Sequence, residues 1–430
     1  MKSVIYQFIR VFYQVLILGV SIVPLLLLAF WYRFQSAEAS DQAVFIGVNE
    51  IASNIHSIQE TLDLYGEKTT ALIYTNKFSG EAPFYGVSGK ARRIYINKYY
   101  SSSWLHRFFY IFVRPVMLLY YFAQFLKGHR IWFFVWNHTF LPWNLDLVLL
   151  RLAGKRVILM HCGDDVRYRP MQRAIDRSFG IDSWSSHKPS FKVFLRHFYF
   201  SALSEVVGDV ISLRDQATFQ RGSLIQFKFP MADIKKSGDG FFKKEAVRIL
   251  HAPSDREIKG TRFVLEAIEI LRQLGIPFEF KLIEKESNER VLKEINRADI
   301  LIDQPGTWVA RLAMEGCSAG CCVIGGNQAE YMQNYDSPVI QFEKDAKKLA
   351  NVLSELICDR DLLRNKKREC RIFWEKYYTQ EAFYRHYESI LRGTAPTFLP
   401  LRQQKQILIS SSSNWLERMI VRFCYYPKQS

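Results

Sequence analysis

Ala298-Asp-Ile-Leu-Ile-Asp303-Gln304-Pro-Gly306-Thr307-Trp-Val-Ala-Arg-Leu-Ala-Met-Glu315-Gly-Cys-Ser-Ala-Gly320-Cys-Cys-Val-Ile324 reads as strand, glycine-containing loop, helix, glycine break and buried strand. Residues 299–302 and 321–325 are short apolar runs bounded by turn residues, which is the pattern of strands buried on both faces. Residues 308–317 between them read as a helix. Cys321 and Cys322 fall inside the second apolar run. Together with the odd total of seven cysteines, this implies no disulfide framework, and a reducing compartment fits best. None of the cysteines has the paired spacing of a zinc site.

The same alternation extends in both directions. Upstream come strand 247–250, helix 262–274, strand 278–283 and helix 289–297; in the first helix Val264, Ala267, Ile268, Leu271 and Leu274 form one buried stripe. Residues 231–245, with Ser237-Gly-Asp-Gly240 between lysine pairs, read as a linker. Before it lies another series: strand 43–47, helix 49–65, strand 70–74, an amphipathic or interfacial helix 104–126, strand 131–135, helix 143–152 and strand 156–160. Residues 209–213 and 224–227 are further strand candidates. Strands alternating with helices imply α/β architecture, two Rossmann-like domains facing a cleft. The length of 430 residues agrees with two domains plus extra segments.

In an open α/β sheet, ligands bind beyond the carboxyl ends of the strands. His251-Ala-Pro-Ser-Asp-Arg256-Glu-Ile-Lys259-Gly260-Thr261 occupies such a position, before a helix whose positive end would add to Arg256 and Lys259 as a diphosphate site. Alone, the stretch reads better as a solvated basic turn. With the Glu315 segment it resembles the donor site of retaining glycosyltransferases of family 4, which have the GT-B fold. That family carries an acidic residue, seven others, a Glu, and a Gly five residues later; Glu315 and Gly320 match, and Thr307 stands where the first acidic residue is expected.

The resemblance implies that Glu315 holds the ribose hydroxyls of a nucleotide, since a carboxylate accepts two hydrogen bonds. Arg256 and Lys259-Gly260 would grip the diphosphate, and Thr307 would lie against the donor sugar. His161-Cys-Gly163-Asp164-Asp165-Val-Arg167 resembles the family's His-Gly-x-Asp-x-Arg loop with one extra residue after His161. His161 would face the reacting sugar, and Asp164 or Asp165 would orient acceptor hydroxyls. Gly47, Asn49 and Glu50, ending the first strand, form an acceptor-side loop, and His138 reads as a loop histidine. The implied donor is a nucleotide diphosphate sugar, with no cofactor and no metal.

The resemblance also assigns domains. Residues 41–230 form an acceptor domain, 231–245 the linker, 246–392 the nucleotide-sugar domain and 393–430 a polar and basic tail, read equally as disordered or as a surface-lying amphipathic helix. Residues 1–40 form a membrane anchor or re-entrant segment: residues 11–31 are 21 uncharged positions, enough to cross a bilayer. Positive flanks at Lys2 and Arg10 would place the catalytic part outside. A break at Ser21 to Pro24, returning the helix to the same face, would reconcile this with a cytoplasmic sugar nucleotide.

The net charge of +16 is unevenly spread: residues 82–145 hold eight Lys or Arg, twenty aromatics and no Asp or Glu. Such a mixture suits an anionic membrane interface or a nucleic-acid groove. The adjoining apolar run favours the membrane, a lipid-linked saccharide acceptor, and no nucleic acid. The rival reading is a periplasmic two-lobed solute-binding protein, which would need cleavage near Ala37-Glu-Ala39. Nearer rivals are a nucleotide-sugar epimerase or an inactive homologue on the same fold.

Overall fold

The computed structural model describes residues 2–34, 43–51, 53–76, 92–93, 104, 108–163, 165–169, 191–213, 217, 219–231, 233–234, 246–306, 309–326 and 336–400. Two sheets organise them. The first has eight strands in the order β13-β7-β6-β5-β4-β1-β2-β3. They are β1 (Ala43–Glu50), β2 (Thr69–Asn76), β3 (Arg92–Arg93), β4 (His129–Val135), β5 (Arg156–Met160), β6 (Asp209–Ser212), β7 (Leu224–Gln226) and β13 (Thr397–Phe398). All pairs are parallel except β13 on β7.

The second sheet has five parallel strands in the order β12-β11-β10-β8-β9. These are β8 (Val247–His251), β9 (Phe278–Leu282), β10 (Ile300–Ile302), β11 (Cys322–Gly325) and β12 (Ile340–Gln341).

Strand β4 is apolar on both sides because both faces of the first sheet are covered. Trp132 and Phe134 join Phe45, Leu72 and Leu159 on one face, beneath α3 (Arg114–Gly128), α4 (Leu145–Leu152) and α5 (Phe191–Val207). Ile131, Phe133 and Val135 join Val44, Ile46 and Met160 on the other, beneath α2 (Asn54–Leu64). That second core continues into the C-terminal lobe through Phe229, Met231, Phe373 and Tyr378. One apolar seam therefore joins the lobes.

In the second lobe, α6 (Thr261–Gln273) buries Val264, Ala267, Ile268 and Leu271, while Leu274 is exposed just past the helix end. α9 (Ala346–Cys358) packs beside α6. α7 (Asn288–Ile295) and α8 (Arg311–Ser318) follow β9 and β10, and α10 (Arg360–Tyr377) packs against α8 and β11.

Two expectations are corrected. The N-terminal segment neither breaks nor re-enters: α1 (Lys2–Phe34) is one helix with Pro24 inside it, 33 residues and so about 50 Å long. Its second half also packs on the first lobe: Leu25 and Ala29 are buried against α3 and α4, and Arg33 donates to the Leu152 carbonyl at 3.3 Å. Apolar residues along α1 thus serve the core of the first lobe as well as an apolar exterior.

The C-terminal boundary also moves. α11 (Gln380–Leu391), expected in the second lobe, packs on α2, where Tyr384 stacks on Tyr65 with ring centres 4.3 Å apart. His386 bonds the Gln226 carbonyl at 2.9 Å, and Arg156 donates to the carbonyls of Ile390 and Leu391. The expected tail then begins with β13, which adds to the edge of the first sheet. Edge backbone groups of β7 and the apolar face of α2 need cover, and α11 with β13 supplies it.

Residues 401–430 and most of the linker lie outside the described residues. The start of the linker is fixed to the second lobe: Asp233 pairs with Arg371 at 2.7 Å, and Ile234 N–H donates to Ser318 Oγ at 3.0 Å.

Candidate functional site

The carboxyl ends of β8 and β10 lie side by side in the second sheet. His251 ends β8. Its Nδ1 lies 2.9 Å from the Ile302 carbonyl, which only accepts, so Nδ1 carries the proton; Nε2 then accepts from Thr261 Oγ1 at 3.0 Å. Burial lowers the His251 pKa, which keeps this tautomer neutral. The ring ties two strands to the start of α6.

Gly260 caps α6 in the left-handed region at φ 64°. A Cβ there would lie 3.1 Å from Pro305 and 3.3 Å from the Phe342 ring, so glycine lets the loop after β10 close over the helix terminus.

Lys259 reaches into this corner and pairs with Asp303, whose side chain is fully buried. Asp303 Oδ2 has no hydrogen-bond partner among the described residues. Glu315, one turn into α8, is also buried, and its Oε1 accepts from Arg311 Nε at 3.3 Å while Oε2 has no partner among the described residues. Burial raises the Glu315 pKa, with Arg311 opposing it; Asp303 and Lys259 lie near enough to act on it in opposite senses. Lys259 and Glu315, predicted to share one site, are therefore neighbours. Asp303 pairs with Lys259 and Arg311 with Glu315, and the open oxygens Asp303 Oδ2 and Glu315 Oε2 are ready hydrogen-bond acceptors.

Arg256 departs from its expected place. It is exposed, and its guanidinium fork is held by Glu284 at 2.7 and 2.6 Å. This bidentate pair raises the Arg256 pKa and lowers that of Glu284. Arg256 sits at the rim, and Lys259 alone of the expected cation pair enters the corner. Thr307 lies outside the described residues.

Arg311 also crosses between lobes, donating from Nη1 to Asn54 Oδ1 at 3.2 Å and lying over the Phe229 ring at 5.5 Å. Asn54 opens α2, and its Nδ2 approaches Cys162 Sγ at 3.8 Å. Glu50, expected on an acceptor loop, instead caps α2: its carboxylate accepts from the N–H groups of Ile55 at 3.2 Å and His56 at 3.1 Å. Burial raises its pKa, opposed by those same two N–H groups. Asn49 is buried with Oδ1 unpartnered among the described residues, and Gly47 lies within β1, its Cβ position filled by the Phe45 ring.

The 161–167 loop also differs from expectation. His161 is fully buried, on the Phe200 side of the sheet, with ring centres 5.9 Å apart. Ser212 Oγ donates to the Leu213 carbonyl and so accepts from His161 Nδ1 at 3.2 Å. Nε2 keeps a lone pair with no partner among the described residues, and burial drops the pKa to about 3. Alternation from β5 explains this: Met160 faces the α2 side, so His161 falls on the opposite, Phe200 side, and Cys162 is the residue turned towards Asn54. Asp165 organises the loop, accepting from Gly163 N–H at 2.7 Å and Cys162 N–H at 3.2 Å. Asp164 lies outside the described residues.

Sequence reading therefore missed Arg311 and Asn54. Arg311 had a signal, the four-residue spacing to Glu315 on one helix face. Asn54 had none, because only the docking of two lobes makes it a partner. Among the described residues, no group of three or more His, Cys, Asp or Glu could hold a metal ion.

No known protein family matches the sequence, and no curated protein does. Solved structures do match. Anabaena HepE in complex with UDP and glucose aligns with a TM-score of 0.50 at 8% identity, covering 82% of this chain and all of that one. The catalytic domain of starch synthase IV from Arabidopsis thaliana, bound to ADP and acarbose, aligns with a TM-score of 0.50 at 10% identity, covering 83% of this chain and 99% of that one. With two parallel sheets, strand ends facing one another across the Arg311–Asn54 contact and these likenesses, the chain has the GT-B fold.

Proposed function

We propose that the protein is a glycosyltransferase that moves a sugar from a nucleotide diphosphate donor to a membrane-associated acceptor with retention of configuration. The observation that carries this reading is the buried corner at Lys259, Asp303 and Glu315. It combines a cation, a helix N-terminus and two carboxylate oxygens unpartnered among the described residues, at the ligand-binding edge of a parallel sheet. UDP in the HepE structure and ADP in that of the starch synthase support a nucleotide donor on this fold.

In this reading Glu315 accepts the ribose hydroxyls through its open Oε2. Lys259 and the N-terminus of α6 stabilise charge growing on the departing diphosphate. The bond from the anomeric carbon to the diphosphate oxygen breaks as the acceptor oxygen bonds that carbon on the same face. The acceptor's proton passes to a diphosphate oxygen, so neither an enzyme nucleophile nor a cofactor is needed. His161, neutral and enclosed, is left as a hydrogen-bond acceptor at Nε2 rather than a base working near pH 7.

Two measurements test the reading. Thermal shift across a panel of nucleotide sugars should identify one stabilising donor, and nucleoside diphosphate should be released only when acceptor is added. Glu315→Gln keeps the shape but weakens acceptance from two hydroxyls, so KM for the donor should rise roughly tenfold or more, a loss of about 1.5–3 kcal/mol. An unchanged KM would remove Glu315 from the donor site.

A further inference from the structure

α1 is apolar on two opposite faces, and the fold buries one of them. Leu25 and Ala29 sit against α3 and α4, with Leu18 and Tyr32 packed beside them. On the far side Phe12, Leu16, Val20, Val23, Leu27 and Phe30 are exposed. They recur at steps of four, four, three, four and three, which makes one stripe roughly 27 Å long. α3 extends this apolar exterior. Val116 and Tyr120 are exposed, and with Phe112, Val113, Met117 and Tyr121 they line a groove of about 470 Å³. Tyr13 of α1 adjoins the groove, donating to the Phe112 carbonyl at 3.2 Å with the two ring centres 4.7 Å apart.

By length and composition, Gln7–Phe34 and Phe109–Gly128 could each cross a membrane. Their packing argues otherwise. α3 is a layer of the first sheet: the Phe122 ring lies 5.7 Å from Trp132 and the Phe125 ring 5.4 Å from Phe45. α1 is tied to the same lobe at two distant points. Gln14 and Leu18 share a cavity with Asn137 and Thr139, beyond the carboxyl end of β4. Arg33 donates to the Leu152 carbonyl at 3.3 Å, and Lys155, just before β5, lies over the Tyr32 ring at 5.7 Å. α1 therefore runs antiparallel to the strands across one face of the sheet. Standing it upright in a bilayer would carry the sheet into hydrocarbon, along with α2 on the opposite face and its exposed Glu60, and charged groups are costly there.

We propose that α1 lies in the plane of an anionic membrane surface, its outer stripe and the α3 groove buried in one leaflet, without crossing it. The two-faced apolarity of α1 then has a cause. An interfacial helix ordinarily turns a polar face to water, but here the lobe occupies that side. Charge selects the leaflet: neither α1 nor α3 contains an Asp or Glu, and the chain carries a net charge of +16, which draws it to anionic headgroups whatever ion pairs its side chains form internally. The strands then run along the membrane. Docking in this way needs no catalytic activity; only its use, opening the interlobe gap sideways at headgroup level to a lipid-linked acceptor, rests on the transferase reading.

The test uses the full chain with an N-terminal epitope tag, in sealed membrane vesicles from expressing cells. Added protease should cut tag and lobes together in one vesicle orientation and spare both in the other. Cutting of one with sparing of the other would mean that α1 crosses, and would overturn the proposal. Purified chain is then added to preformed vesicles without any sugar nucleotide, so that docking stands or falls separately from transfer. It should float with vesicles of phosphatidylcholine and phosphatidylglycerol and bind those of phosphatidylcholine alone more weakly; equal binding would rule out an anionic surface as the occupant. Leu16→Gln with Val20→Gln and Leu27→Gln should keep the melting temperature and weaken binding to the anionic vesicles by roughly tenfold or more, since burying one side chain of this size is worth about that factor. Wild-type binding by the folded triple variant would overturn the assignment of the stripe. So would a lipid-free dimer that the variant loses, because the face would then belong to a second copy.

Discussion

Lys259 and Asp303 form a pair whose members cannot be judged singly. Removing the lysine strands a fully buried carboxylate, and breaking such a pair typically costs about 3–5 kcal/mol. Lys259→Ala should therefore lose both turnover and stability. Adding Asp303→Asn should recover most of the melting temperature without recovering transfer, which separates the lysine's role in the reaction from its role in folding. Asp146 offers a second test at this scale. Fully buried, it accepts from Thr139 Oγ1 at 2.6 Å and Phe140 N–H at 2.9 Å, and burial still raises its pKa from 3.8 to about 6. Between those values the folded chain holds a proton that the unfolded chain has lost, so stability falls as pH rises through this window, by about 3 kcal/mol in all. Denaturant titrations at pH 4 and pH 6.5 should show that decline in the wild type and a flatter profile in Asp146→Asn.

At the scale of elements, α8 sets the position of Glu315 by lying directly on β10 and β11. A Cβ at Gly316 would fall 2.5 Å from Leu301 Cδ2 and 3.0 Å from Val323 Cγ2, both side chains fully buried. Alanine gains about 1 kcal/mol in helix propensity, but overpacking a closed core costs about 1–3 kcal/mol. Gly316→Ala should thus lower the melting temperature and, by lifting Glu315, raise KM for the donor; chemical denaturation and steady-state kinetics read the two effects. α1 makes a comparable claim. If its second half belongs to the first lobe, Ala29→Trp, at a position with no exposure, should destabilise the protein in detergent and in nanodiscs alike. A helix serving only as an anchor would tolerate the change.

For the whole molecule, the lobes communicate through an apolar seam and the polar bridge at Arg311. Arg311 joins Glu315 in the second lobe to Asn54 in the first. Asn54→Ala removes an acceptor from a guanidinium, a contact of about 1.5–3 kcal/mol, and should loosen the closed arrangement without unfolding either lobe. Hydrogen exchange at the start of α8 and α2 should rise together while the melting temperature moves little. The returning α11 and β13 limit how far the lobes can separate, because the chain passes from α10 in the second lobe straight to contacts with α2 and β7 in the first.

Local chemistry had already written much of this into the sequence. Strand and helix periods fix the alternating architecture, and the places of Lys259 and Glu315, each following a strand within its own βα unit, bring both to the same sheet edge, because each depends on neighbours within that unit. Long-range docking decided the rest. Arg256 turned to Glu284, His161 turned inward behind Cys162, Glu50 became a helix cap, and α11 crossed back to α2. None of these follows from local pattern, since a side chain's partner is chosen by whichever surface folds against it.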